Sequence, residues 1–300
     1  MFKNVLVGVD EGEGGRDAIA LARVLLAAGG ELTLAHVFAE NLVRSRVWSD
    51  PGVDSRREHA RELLEHAAAE ARVEAHVRWR GGSSVGRGLH EMAESIEADL
   101  LVVGSSRRGM LGRVRLADDT RAALNGAPCA IAVAPTGYSS EPPPPMREIG
   151  LGYDGSPESR QALGTARALA SETGAKLSAF EVVSVPSYVF RGRTAVNGSV
   201  IKDVVREARD EIVSLGGVEA HAAYGDTAEE LTLYSASLDL LVLASRGYGP
   251  LGRLVHGSTT QQLARTARCP LLVLTRAARE ASEHAGSEDS RQTASHAARL

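Results

Sequence analysis

At 300 residues, with 43% hydrophobic and 24% charged, the chain is long enough for two globular domains of ordinary size. A net charge of -4 with no basic block argues against a nucleic-acid binder, which needs a run of cationic phosphate contacts. The leading apolar run Val5 to Val9 is too short for a signal-peptide core or a membrane span, and two cysteines suit a reducing compartment, so a cytoplasmic location away from any membrane is expected.

Only 4% of residues are aromatic, so Leu, Val, Ile and Ala must build the core. Val5 to Val9 forms an uninterrupted apolar run, as expected of a parallel strand covered on both faces. The pattern predicts a helix from about Arg16 to Ala28 ending at Gly29-Gly30, then a strand from Leu32 to Phe38. A polar loop leads to a charged helix from about Ser55 to Arg72. A strand Glu74 to Trp79, a helix through Leu89 to Ile96 and a strand Leu100 to Gly104 come next. A helix near Thr120 to Leu124 and a strand Ala130 to Ala134 close the set.

The same order then recurs. Ala98-Asp99-Leu100-Leu101-Val102-Val103-Gly104-Ser105 answers to Leu238-Asp239-Leu240-Leu241-Val242-Leu243-Ala244-Ser245. Val7-Gly8-Val9-Asp10 answers to Leu151-Gly152-Tyr153-Asp154, and Cys129 and Cys269 follow at the same place in each copy. The fold class expected is α/β: two tandem, doubly wound, parallel five-stranded sheets. The first domain should cover 1–138 and the second 147–276. Four consecutive prolines, Pro142 to Pro145, mark a linker over 139–146, and 277–300 should be a flexible tail with almost no large apolar residue. Each cysteine sits beside a proline at the mouth of an apolar run, where a small buried hydrophobe is expected rather than redox chemistry.

Doubly wound sheets bind ligands beyond the carboxyl ends of their strands. In the second copy the first strand ends at Asp154, followed by Gly155, a capping Ser156 and Pro157. The fourth strand ends at Ala244-Ser245. A loop from Arg246 to Gly257 then leads to Ser258 at the start of a helix; it holds Gly247, Gly249 and Gly252 and no acidic residue. Glycines feeding a helix N-terminus let backbone N–H groups approach an anion, and Arg246, Arg253 and His256 add positive or hydrogen-bonding groups. The plainer alternative is that the glycines only make a tight loop and Ser258 only caps a helix.

This order, strand–Asp–Gly–Ser and later a loop ending Gly-Ser, resembles the universal stress protein family, in particular its tandem-domain members, over about 1–136 and 147–276. The resemblance implies ATP as cofactor, with Mg2+ as the cation accompanying its phosphates. ATP-binding members use Gly-2x-Gly-9x-Gly-(Ser/Thr), matched here by Gly247, Gly257 and Ser258, with Ala244 in place of the first glycine. The family's strand-one aspartate is matched by Asp154, and its adenine-contacting valine at the end of strand two by Val182. The resemblance also implies that the halves pack through their last strands, as a pseudo-dimer within one chain or as a homo-oligomer.

The first copy departs from the motif. Gly104 stays, but Arg107 and Ala117-Asp118 replace the later glycines and serine, and Asp119 follows. Carboxylates there would repel a triphosphate, so the first copy is expected to bind ATP poorly or not at all, the nucleotide being held mainly by the second. Gly12-Glu13-Gly14-Gly15 faintly suggests a dinucleotide fingerprint, against which Asp10, Glu11 and Glu13 argue. No nucleophile elbow, Walker loop or Cys-x-x-Cys pair occurs, and His59 and His66 lie on a charged, solvated helix, so neither catalytic nor metal-binding residues are expected. Three functions stay open: an ATP-binding stress or regulatory protein, a nucleotide-free dimerisation and partner-binding module, and a slow ATPase.

Overall fold

The apolar runs become the strands of a single sheet. In a computed structural model, which describes residues 1–39, 52–105, 127–140, 145–184, 198–245 and 258–274, the first half forms β1 (Phe2–Gly8), α1 (Glu13–Leu25), β2 (Leu26–Ala39), α2 (Val53–Ala71), β3 (His76–Gly82), α3 (Val85–Ser95), β4 (Leu100–Gly104) and β5 (Ala130–Ala134). The second half repeats it as β6 (Glu148–Tyr153), α4 (Pro157–Thr173), β7 (Lys176–Val183), α5 (Gly198–Ser214), β8 (Glu219–Tyr224), α6 (Thr227–Tyr234), β9 (Leu240–Ala244), α7 (Ser258–Thr266) and β10 (Leu271–Leu274).

The strand order is β3-β2-β1-β4-β5-β10-β9-β6-β7-β8. Within each half all pairings are parallel, and the chain reverses its direction of travel between β1 and β4 and again between β6 and β9. The two five-stranded sheets do not stand apart. β5 and β10 join them antiparallel, with Leu271 opposite Val133, Leu272 opposite Ala132 and Val273 opposite Ile131. Left open, each of these short apolar strands would be a pairing hazard, and the junction removes both.

Strand alternation sorts the core onto two faces. Val5, Val7, Leu100, Val102, Leu240, Val242 and Leu272 face α1, α2, α4 and α5. Leu6, Leu101, Val103, Leu241, Leu243 and Val273 face α3, α6 and α7. Cys129 and Cys269 lie in the second cluster, buried, and desolvation pushes each thiol up to about 12, far from thiolate chemistry at neutral pH.

The repeated aspartate before each fourth strand has a structural task. Asp99 accepts from the backbone N–H groups of Lys3 and Asn4 at 2.7 and 3.0 Å, and Asp239 from those of Arg147 and Glu148 at 2.7 and 2.9 Å. Each therefore ties the entry of the first strand of its half to that of the fourth. A third carboxylate, Asp17 on α1, is only 1% exposed and accepts from Gly137 N, Ser139 N and Ser139 Oγ, all at 2.8 Å. It fixes the turn that leaves the first half. Tyr138 in that turn packs against the core, and burial, with Asp239 and Cys269 nearby, lifts its hydroxyl to about 12.

Several element ends differ from the sequence reading. α1 starts at Glu13 and stops at Leu25, so Gly29, with φ 74°, serves an irregular stretch of β2 rather than a helix end. β3 runs on to Gly82 and α3 begins at Val85. The helix expected near 120–124, the prolines 142–144 and the tail from 277 lie outside the described residues. Among the described residues no helix is long and apolar enough to cross a membrane.

Candidate functional site

In the second half the reversal between β6 and β9 opens a crevice at the carboxyl edge of the sheet, as this topology requires. β6 ends in Tyr153, and the chain turns at once. Asp154 Oδ1 accepts from Ser156 N at 3.1 Å and from the Ser156 hydroxyl, while Gly155 takes φ 70°. Ser156 Oγ in turn accepts from Ser159 N at 3.2 Å, capping α4, with Pro157 in its first turn. This leaves Asp154 exposed at the rim of the sheet, held by a turn.

Asp154, Val182 and Ala244 line one cavity of about 390 Å³. Phe180, Leu231 and Leu243 give it an apolar floor, and Ser184, Thr227, Thr259 and Thr260 place hydroxyl-bearing residues around it. Tyr234 backs the floor: its ring lies 4.9 Å from that of Phe180 and its hydroxyl pairs with Ser178 Oγ. The volume suits a small organic ligand, and Asp154 is the only charged side chain among the described lining residues. Ser258 is the first residue of α7, directly before the lining residues Thr259 and Thr260. Gly247, Gly257, Arg246, Arg253 and His256 lie outside the described residues.

Thr227 escaped the sequence reading, which weighed the ends of strands one, two and four but not the end of strand three; Ser184, one residue past Val182 and Val183, was passed over as well. The signal was present. Gly225-Asp226-Thr227 closes β8 and opens α6, and Asp226 caps that helix by accepting from Ala228 N and Glu229 N, each at 3.0 Å.

On the opposite face behind the same strand ends lies a second polar group. Glu181 on β7 is in register with Tyr153 on β6, and Glu211 on α5 reaches over both. Tyr153 Oη donates to Glu211 Oε1 at 3.2 Å, and Arg160 Nη2 lies 3.4 Å from the same oxygen. Glu181 Oε2 is buried and has no hydrogen-bond partner among the described residues. Burial first, and the Glu211 charge second, raise the Glu181 carboxyl above its ordinary range. A carboxyl raised by folding stabilises the fold in acid and loses that contribution as pH rises through its folded value. Glu181→Gln is therefore expected to raise the melting temperature above wild type at pH 7.5 and to match it near pH 4. Thermal melts across that range check this; an equal shift at both ends would deny the raised carboxyl.

The first half carries the same turn, with Asp10 Oδ1 accepting from Gly12 N at 2.9 Å. Its crevice is different. The first turn of α1 presses backbone to backbone on the end of β4, and a Cβ built on Gly104 would stand 2.1 Å from Gly14 O. A Cβ on Gly14 would lie 3.0 Å from Ser105 O, and one on Gly15 3.0 Å from Val9 Cγ1. The glycines at 14, 15 and 104 thus serve close packing, not a dinucleotide turn. His59, singled out earlier, pairs with Glu11 at 3.0 Å, and among the described residues no cluster of three His, Cys, Asp or Glu could hold a metal ion.

The model of the Universal stress protein family matches the chain twice, at residues 1–135 and 146–275. The chain belongs to the universal stress protein family. Its two copies are tandem domains of that family. A universal stress protein of Mycobacterium tuberculosis is 26% identical over 309 residues, covering 90% of this chain and 99% of the relative. Another from the same organism is 29% identical over 185 residues, a match covering 60% of this chain and only 62% of that relative's length. Among solved structures, a universal stress protein from Archaeoglobus fulgidus superposes with TM-score 0.65 at 18% identity, covering 91% of this chain and 98% of its own. At that identity the likeness concerns the fold.

Proposed function

We propose that this universal stress protein binds one ATP per chain, in the second domain, and serves a regulatory role in the cytoplasmic stress response. The supporting observation is the cavity at the β6–β9 reversal, where Asp154, Val182 and Ala244 meet the first turn of α7. In this reading the apolar floor takes adenine, Asp154 accepts from ribose hydroxyls, and backbone N–H groups of Gly247, Gly257 and Ser258 take the phosphates with the help of the α7 dipole. The first turn of α7 carries no acidic residue, unlike those of α1, α4 and α6. In the first domain the pressed contact of Gly14 on Gly104 and the sequence Ala117-Asp118-Asp119 both disfavour a second site.

Two measurements on purified protein test the reading. Denaturation followed by mass spectrometry is expected to release ATP or ADP, and calorimetric titration of the stripped protein with ATP should give a stoichiometry close to one. No released nucleotide together with no binding at millimolar ATP would leave the partner-binding module as the better account. A stoichiometry of two would overturn the assignment to one domain.

A further inference from the structure

The turn that carries Asp154 is braced from behind the sheet. Tyr153, the residue before it, is 3% exposed and donates its hydroxyl to Glu211 Oε1 of α5 at 3.2 Å. Burial raises that hydroxyl above its ordinary range, so it stays a donor at neutral pH. Arg160, near the start of α4, reaches the same oxygen at 3.4 Å and keeps Glu211 in place. Gly155, the residue after Asp154, lies close under Glu211: a Cβ built on it would stand 3.2 Å from Oε1. One carboxylate thus stands against the chain on both sides of Asp154.

The first half is an internal control. Val9 stands where the second half has Tyr153. Counted back from the left-handed residue past each helix, Arg72 beyond α2 and Gly216 beyond α5, Glu211 answers to Ala67. Arg16, the counterpart of Arg160, pairs with Glu70 instead, at 3.2 Å. Yet an aspartate turn forms there as well, with Asp10 Oδ1 accepting from Gly12 N. The turn therefore does not need the brace in order to fold. Nor does stability alone favour a charge at 211, since Glu211 adds to the upward push on the partly buried Glu181 carboxyl. The brace belongs to the half whose cavity is lined by Asp154, Val182 and Ala244, and its residues are missing from the half where Gly14 presses on Gly104.

We propose that Glu211, acting through Tyr153 and the turn at Gly155, is a positioning residue that fixes the Asp154 carboxylate for the ribose hydroxyls of the bound nucleotide. This rests on the ATP reading of the cavity. A carboxylate already held in place loses little freedom on binding, so more of each hydrogen bond to the ribose appears as affinity.

Calorimetric titration of the full-length protein with ATP and with its dideoxy analogue, which lacks both ribose hydroxyls, separates the claims. Wild type is expected to bind ATP about 10-fold more tightly than the analogue. Glu211→Ala, which copies the first half, and Tyr153→Phe should each weaken ATP about 3- to 5-fold and leave the analogue unchanged. The double variant should lose no more than either single one, because both remove the same contact. A residue that only stabilised the fold would move both ligands together. Equal weakening of ATP and the analogue, unchanged ATP affinity in a folded variant, or additive losses in the double variant overturns the role of Glu211 while the ATP reading stands. Wild type binding the two nucleotides equally also overturns it, since Asp154 then takes no ribose hydroxyl. Wild type binding no ATP overturns both.

Discussion

Gly104→Ala is expected to destabilise the protein by about 3 kcal/mol or more, whereas the matching exchange Ala244→Gly costs about 1 kcal/mol. The two positions are equivalent in the repeat, each ending the fourth strand of its half. Their surroundings differ. A methyl group on Gly104 would meet the Gly14 carbonyl oxygen at 2.1 Å and its carbonyl carbon at 2.5 Å. Both are backbone atoms of the first turn of α1, so no rotamer change relieves the overlap, and the helix itself has to shift. Moving α1 disturbs Ala18, Leu21, Ala22 and Leu25, all fully buried, and strains the hydrogen bonds that Asp17 accepts. At Ala244 the methyl already lies against the cavity, and its loss removes a small contact and adds backbone entropy to the unfolded chain. Urea unfolding of each variant, compared at constant m, checks the contrast. Equal small shifts would mean that α1 does not press on β4.

Gly104 also marks where the sequence misleads. A strand ending in Val-Val-Gly fits the first position of the nucleotide loop, yet Gly104 is explained by a helix that comes nearly ninety residues earlier in the chain. Only the packed structure brings Gly14 to it. Asp99 and Asp239 are a similar case. The repeat made them visible, but accepting two backbone N–H groups from a strand remote in sequence leaves no local pattern. What the sequence did carry was order and period. Val5-Leu6-Val7 and Leu240-Leu241-Val242 are apolar on consecutive residues because both faces of the sheet are covered, and all six are fully buried. Asp154 was legible at the end of the first strand, where ligands of such sheets lie, whereas Val182 and Ala244 were singled out through the family resemblance; the three line one cavity because the ends of parallel strands converge. Thr227 was not singled out, since a threonine after a capping aspartate also suits an ordinary helix start.

The junction between the halves yields the other large effect. Leu272→Asp is expected to cost about 4 kcal/mol or more, because it deletes a fully buried side chain and places a carboxylate where water does not reach. Leu272 faces Ala132 across the antiparallel pair, and neither is measurably exposed. Alanine fills little space, so the leucine supplies the bulk on its side of that seam and touches a core cluster that includes residues of both halves. The loss should therefore pass from the second half, which carries the substitution, to the first. A convenient reporter exists: both tryptophans, Trp48 and Trp79, belong to the first half. Thermal unfolding followed by tryptophan fluorescence sees the first half alone, while far-ultraviolet circular dichroism sees the whole chain. In wild type the two probes should trace one transition. In Leu272→Asp both should move to lower temperature, the fluorescence transition included, because β5 loses the strand that covers its edge. If the dichroism transition fell while the tryptophan transition stayed in place, the ten-stranded sheet would be two independently stable units in contact, and the β5–β10 seam would contribute nothing to the stability of the first.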